Sequence, residues 1–186
     1  MSTKIYLLLL PLCASTSASI LEFEGKVRYP TCQVMVNGIA NRPIIQLPSV
    51  HINDLSKIGY VTGETSFDVT LYDCLRSMTL EQRWDVLFSP WGIDKNRESL
   101  IPGMVPAISG SAKDIGLQIL ENPAGQPINN EFIGDLLIGY RLKEAIIIPP
   151  GESQGSRTFA IRYISLSDTP QPGTLNAYVQ YAVTYF

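Results

Sequence analysis

The stretch Asn176-Ala177-Tyr178-Val179-Gln180-Tyr181-Ala182-Val183-Thr184-Tyr185-Phe186 closes the sequence and decides its reading. Side chains alternate across a strand, so Ala177, Val179, Tyr181, Val183 and Tyr185 share one face. The run is rich in β-branched and aromatic residues, which suit a pleated, half-buried surface. The sequence offers no downstream segment to pair with this strand, and an unpaired apolar edge is a template for a strand from another chain. The expectation is a β-domain whose last strand accepts a strand from a partner.

The rest of the chain fits one such domain. At 186 residues with a 45% hydrophobic content, it is long enough to bury a core. Charged residues make up only 17% and the net charge is -3, which leaves no electrostatic footprint for nucleic acid or an anionic membrane. Glycine, proline and tyrosine are frequent and no long apolar pattern has helical period, so the class reads as all-β.

Residues 1–19 are of a different kind. Lys4 supplies a positive start, Ile5 to Leu12 is apolar, and small polar residues follow from Cys13 to Ser19. That layout is a cleaved secretory signal, too short to span a bilayer, with cleavage anywhere from residue 14 to 19. Pro11 and Leu12 stand where a lipoprotein signal carries small residues, which argues against acylation of Cys13. Two cysteines remain, Cys32 and Cys74. In an exported protein an even pair reads as one disulfide, the other reading being two buried thiols. With the single His51 they are too few to hold a metal.

Residues 20–186 then form the mature domain. Leu21, Phe23, Gly25, Val27 and Tyr29 alternate with Glu22, Glu24, Lys26 and Arg28, a strand with one dry and one charged face that Pro30 ends. The short apolar run Ile44-Ile45-Gln46-Leu47 is closed by Pro48. Phe67, Val69 and Leu71 mark a strand ending at Cys74, and Trp84-Asp85-Val86-Leu87-Phe88 marks another. Residues 94–111, with Pro102, Gly103, Pro106 and Gly110, read as loop with at most a short strand. Further strands are expected at residues 115–120, 146–148 and 158–164, with a turn at Asn122-Pro123-Ala124-Gly125 and another over 168–174. No repeat or linker divides the chain, so the pattern points to an immunoglobulin-like sandwich, with a barrel as the alternative.

Catalytic patterns are not found. A serine, histidine and aspartate set needs a histidine beside a nucleophile, and His51 lies in Ser49-Val50-His51-Ile52-Asn53 without one. No glycine-rich phosphate loop follows a strand. Asp68 and Asp73 are of opposite strand parity and read as solvated carboxylates. Trp84, Trp91, Tyr60 and Tyr72 are of the kind that line sugar sites, but they are scattered along the chain and fit core or rim packing. No enzyme and no cofactor is expected.

These residues together resemble pilin subunits of the chaperone-usher pathway, particularly type 1 fimbrial subunits. The resemblance is carried by Phe23-Glu24-Gly25-Lys26-Val27 before Cys32, Gln46-Leu47-Pro48-Ser49-Val50, Thr62-Gly63, and Phe67-Asp68-Val69-Thr70-Leu71-Tyr72-Asp73-Cys74. It continues through Ile115-Gly116-Leu117-Gln118-Ile119-Leu120 to Gly173 and a final strand with the penultimate tyrosine Tyr185. What it implies is an incomplete immunoglobulin-like fold lacking its seventh strand. A periplasmic chaperone lends that strand first, and at the outer-membrane usher the N-terminal extension of the next subunit replaces it. On this resemblance Cys32 and Cys74 form the family's disulfide. Gly173, Ala177, Val179, Tyr181, Val183 and Tyr185, within a C-terminal strand over residues 173–186, form the groove edge. Residues 20–29 are the donor strand, with Leu21, Phe23, Gly25 and Val27 entering a neighbour's groove. The implied role is a structural subunit of an adhesive pilus, exported through the periplasm to the bacterial surface and touching host surfaces indirectly. The short stretch before the donor strand favours a minor over a major subunit. The alternative is a tip adhesin or sugar-binding module.

Overall fold

The computed structural model describes residues 32–93, 100–133 and 136–185. The expected signal segment, the donor strand with Leu21, Phe23, Gly25 and Val27, and Phe186 lie outside them.

Two antiparallel sheets face each other. The first orders β1 (Gln33–Val36), β2 (Val61–Tyr72), β10 (Gly155–Ser165), β6 (Ile115–Leu120) and β4 (Met104–Val105) from one edge to the other. The second orders β12 (Val179–Tyr185), β3 (Gln82–Pro90), β8 (Leu136–Arg141) and β7 (Asn129–Ile133), with β9 (Ile146–Ile148) also on β3. A two-residue ribbon pairs β11 (Leu175–Asn176) with β5 (Ser109–Gly110). A short 3-10 helix, Ile52–Leu55, precedes β2.

Alternation explains which side chains the sheets bury. Phe67, Val69 and Leu71 of β2 point inward, and Trp84, Val86 and Phe88 of β3 meet them. Phe67 stacks on Phe159 of β10 at 5.7 Å between ring centroids, and Phe88 meets Phe159 edge-on at 5.4 Å, so three rings join the two layers. Tyr140 of β8 is wholly buried and donates its hydroxyl proton to the Met104 carbonyl at the opposite edge. The expected Cys32–Cys74 disulfide is formed, tying the start of β1 to the end of β2.

The strands expected at residues 67–72, 84–88, 115–120, 146–148 and 158–164 are all present, and β2 extends back to Val61. Residues 100–111 carry two short strands, β4 and β5. Three strands were not anticipated: β1, only four residues long, and the pair β7 and β8, of which β7 begins Asn129-Asn130-Glu131, poor strand formers held by their antiparallel pairing with β8. The C-terminal strand, expected as continuous over 173–186, is two pieces: β11 pairs with β5, β12 pairs with β3, and Ala177 and Tyr178 make the crossing.

Candidate functional site: an open groove beside the last strand

β1 ends one sheet and β12 ends the other on the same long side of the sandwich, and there the two layers stand apart. Residues 43–50 run along the first layer outside any ladder. Pro43 and Pro48 bracket this run, and a proline has no N–H to give to a sheet. Ile44 is 74% exposed, whereas Ile45 and Leu47 pack against the core.

Between this segment and β12 lies a groove of about 330 Å3. Its floor is core: Phe67, Phe88, Val105, Leu117, Ile119 and Ile161 reach it. A second hollow of about 390 Å3 shares Leu47 and Leu175 with the first and carries it on past Val50, Ile52, Leu55 and Tyr163 to Gly173. No charged side chain lines either part among the described residues. Tyr163 turns its hydroxyl to the Pro48 carbonyl at 3.1 Å, and burial holds its pKa above the ordinary phenol value.

The β12 wall follows the alternation read from the sequence. Ala177, Val179, Tyr181 and Val183 are half-buried and pack against the core, while Tyr178, Gln180, Ala182 and Thr184 are exposed. Tyr185 is 48% exposed and lies opposite Trp84, their rings 5.2 Å apart. β12 pairs with β3 over seven residues from Val179↔Pro90 to Tyr185↔Trp84, and among the described residues it has a strand neighbour on that side only. Its other edge therefore carries backbone donors and acceptors beside an apolar trough.

Gly173 closes the far end of the groove by close approach. Residues 171–176 are clipped to residues 108–113 by backbone hydrogen bonds, among them Ala112 N–H to the Thr174 carbonyl at 3.0 Å and Lys113 N–H to the Gln171 carbonyl at 3.1 Å. A Cβ at Gly173 would collide with the Ala112 nitrogen and the Ser111 side chain. Its φ is not positive, so the requirement is steric. Gly110, directly across the clip, has φ +123° and would drive a Cβ into the Thr174 carbonyl.

The other residues singled out from sequence do not converge. His51 is exposed just ahead of the 3-10 helix. Asp68 accepts a hydrogen bond from the Thr158 hydroxyl at 2.5 Å on an exposed face, and Asp73 sits in a turn at φ +53°. Trp84 is buried at 2% exposure, Trp91 and Tyr60 are exposed, and none of them, nor Tyr72, lines the groove. Sequence reasoning missed the groove's floor and its second wall. The wall had a signal in its proline-bracketed apolar run; the floor is contributed by five strands that only folding brings together.

A family model described as fimbrial protein matches residues 21–186. The chain is similar to the F17 fimbrial protein of Escherichia coli, at 27% identity over 178 residues, covering 86% of this chain and 96% of that protein. It is also similar to the major fimbrial subunit SMF-1 of Stenotrophomonas maltophilia strain K279a, at 25% identity over 180 residues, covering 94% and 96%. Among solved structures, the P pilus rod subunit PapA superposes with a TM-score of 0.54 at 10% identity, covering 83% of this chain and 99% of that one. The CupB6 tip adhesin of Pseudomonas aeruginosa gives 0.56 at 15% identity over 75% of this chain, which spans 35% of the adhesin. The structural likenesses are likenesses of fold, an immunoglobulin-like sandwich.

Proposed function

The chain belongs to the fimbrial protein family, and on that premise we propose that it is a pilus subunit whose groove is filled by a strand from another polypeptide. The observation that carries this reading is the uncharged trough beside the one-sided edge of β12. An extended segment laid there completes a ladder with β12 and buries alternate side chains against the floor. A catalytic reading finds no support in the lining, whose hydroxyl groups have no histidine, carboxylate or lysine beside them among the groove residues described.

The occupant during export is a strand lent by a periplasmic chaperone, and at the outer-membrane usher it is replaced by residues 20–29 of the next subunit. Leu21, Phe23 and Val27 are the side chains that enter, with Gly25 on the same face between them. Gly173, Ala177, Val179, Tyr181, Val183 and Tyr185 form the receiving edge. The short N-terminal stretch favours a minor position in the pilus. The near-equal length of the two relatives, one of them named a major subunit, favours a repeating one. We adopt the repeating position, and subunit counting in purified pili decides it.

Each apolar side chain seated in the groove contributes roughly 1.5–3 kcal/mol, so three of them stabilise the domain by several kcal/mol. The direct test compares residues 20–186 alone with the same chain carrying a second copy of residues 20–29, joined by a flexible linker after Phe186. The fused chain is expected to melt higher by on the order of 10 °C or more. Equal melting temperatures would overturn the reading.

A further inference from the structure

The molecule is apolar at both ends. At the disulfide end, the loop after Cys74 exposes Leu75, Met78 and Leu80 at 65%, 73% and 68%. The loop is held in place: Gln82 donates to the Leu75 carbonyl at 2.6 Å, Leu80 N–H to the Ser77 hydroxyl at 3.0 Å, and Gly151 N–H to the Ser77 carbonyl at 2.7 Å. At the other end, the turn between the 3-10 helix and β2 exposes Ile58, Tyr60 and Val61. It is equally fixed, by Ile58 N–H to Asp168 at 3.0 Å and by a reciprocal pair between residues 59–60 and Ser165 at 2.8 and 2.9 Å. The twelve residues of β2 separate the two patches by roughly 35–40 Å. Single exposed apolar residues are ordinary; clusters of three on a pinned backbone mark contacts.

We propose that these ends meet, the Leu75, Met78 and Leu80 end of one copy of this chain seating on the Ile58, Tyr60 and Val61 end of the next. The inference rests on the donor-strand reading, and strand polarity selects the pairing. Every ladder between the described strands is antiparallel. A strand joining β12 in the same sense runs against it, so its C-terminal end leaves the groove beside Gly173. Leu55 lines that end of the groove, and Ile58 to Val61 follow it directly. After a donated residue 29, only Pro30 and Thr31 precede Cys32, which the disulfide fixes next to the Leu75 loop. Two intervening residues span at most about 10 Å, so the donor's disulfide end is drawn against the acceptor's Gly173 end. The two patches differ, so the contact is heterologous and repeats into an open filament.

Cross-linking with a short bis-maleimide, which adds one thiol at each end, tests this on pili or oligomers of the full mature chain. The double variant Met78→Cys/Tyr60→Cys is expected to give a ladder of covalent multimers in denaturing gels, and each single variant to run as monomer. No ladder, or a dimer from Met78→Cys alone, overturns the contact. In parallel, Leu75→Ser/Met78→Ser/Leu80→Ser is expected to lower multimer yield several-fold. A synthetic peptide of residues 20–29 should still raise its melting temperature as it does for the unaltered chain. A peptide that stabilises with no ladder removes the end contact and leaves the groove reading standing. A ladder with no effect of the peptide does the reverse.

Discussion

Gly173 is the residue at which sequence and structure assign different weights to one position. The resemblance marks it as part of a recognition pattern, and the structure makes it a point where two backbones nearly touch. Gly173→Val therefore overpacks the clip, at a cost of about 1–3 kcal/mol, and opens the groove's far end. Thermal melting should fall by several degrees, and stabilisation by the residue 20–29 peptide should weaken with it. At the other end of the molecule, two carboxylates are buried. Burial pushes Asp85 above the usual carboxylate range against the pull of Arg141 and the N–H groups of Leu142 and Val86. Burial likewise raises Glu121, opposed by the Lys143 N–H and by Arg157, whose guanidinium is 2.9 Å away. Between an ordinary carboxylate pKa near about 4 and these raised values, the native state binds more protons than the unfolded chain. Stability thus rises as pH falls into that window and is lost as pH climbs through the folded values. Urea midpoints from pH 7 to pH 4.5 should shift upward on acidification, less so in Asp85→Asn, and parallel profiles for the two would refute the assignment.

Among the elements, β12 is the one on which the proposed function rests, because its two faces and its two edges are all different. One face packs on the core, the other is wet, one edge is bonded to β3 and the other faces the groove. Two substitutions one residue apart separate these roles. Val179→Asp places a charge in the apolar trough and should abolish most of the melting increase produced by the residue 20–29 peptide. Gln180→Asp adds the same charge on the wet face and should leave the increase intact. If both variants respond alike, the groove is not where the peptide binds. The bipartite form of the C-terminal segment also belongs to this scale. β11 is bonded to β5 and β12 to β3, so the crossing at Ala177 and Tyr178 places the clip at one end and leaves β12, among the described residues, with a strand neighbour on one side only.

For the whole molecule, the aromatic junction of Phe67, Phe88 and Phe159 and the disulfide hold the described strands together as a sandwich with a groove along one long side. On the chain-entropy model, closing a loop with a sequence separation of 42 contributes about 4 kcal/mol to the stability of the sandwich. The same architecture explains why the fused donor strand is expected to raise the melting temperature substantially: the floor is already built, and a strand adds burial without further reorganisation.

Local alternation determined most of the strands, because a period of two is set by backbone geometry and needs no partner to be read. It located the inward faces of β2 and β12 and the position of β3, and it showed Ile44 to Leu47 as a short apolar run closed by Pro48, which the structure leaves outside any ladder. The residues that resemble a pilin located Gly173 and the disulfide pair. Only tertiary structure decided that β1, β7 and β8 are strands, that the last segment splits in two, and that Val105, Leu117, Ile119 and Ile161 share one groove floor. Those outcomes depend on which strands become neighbours, and neighbours distant in sequence are selected by packing, which no local pattern encodes.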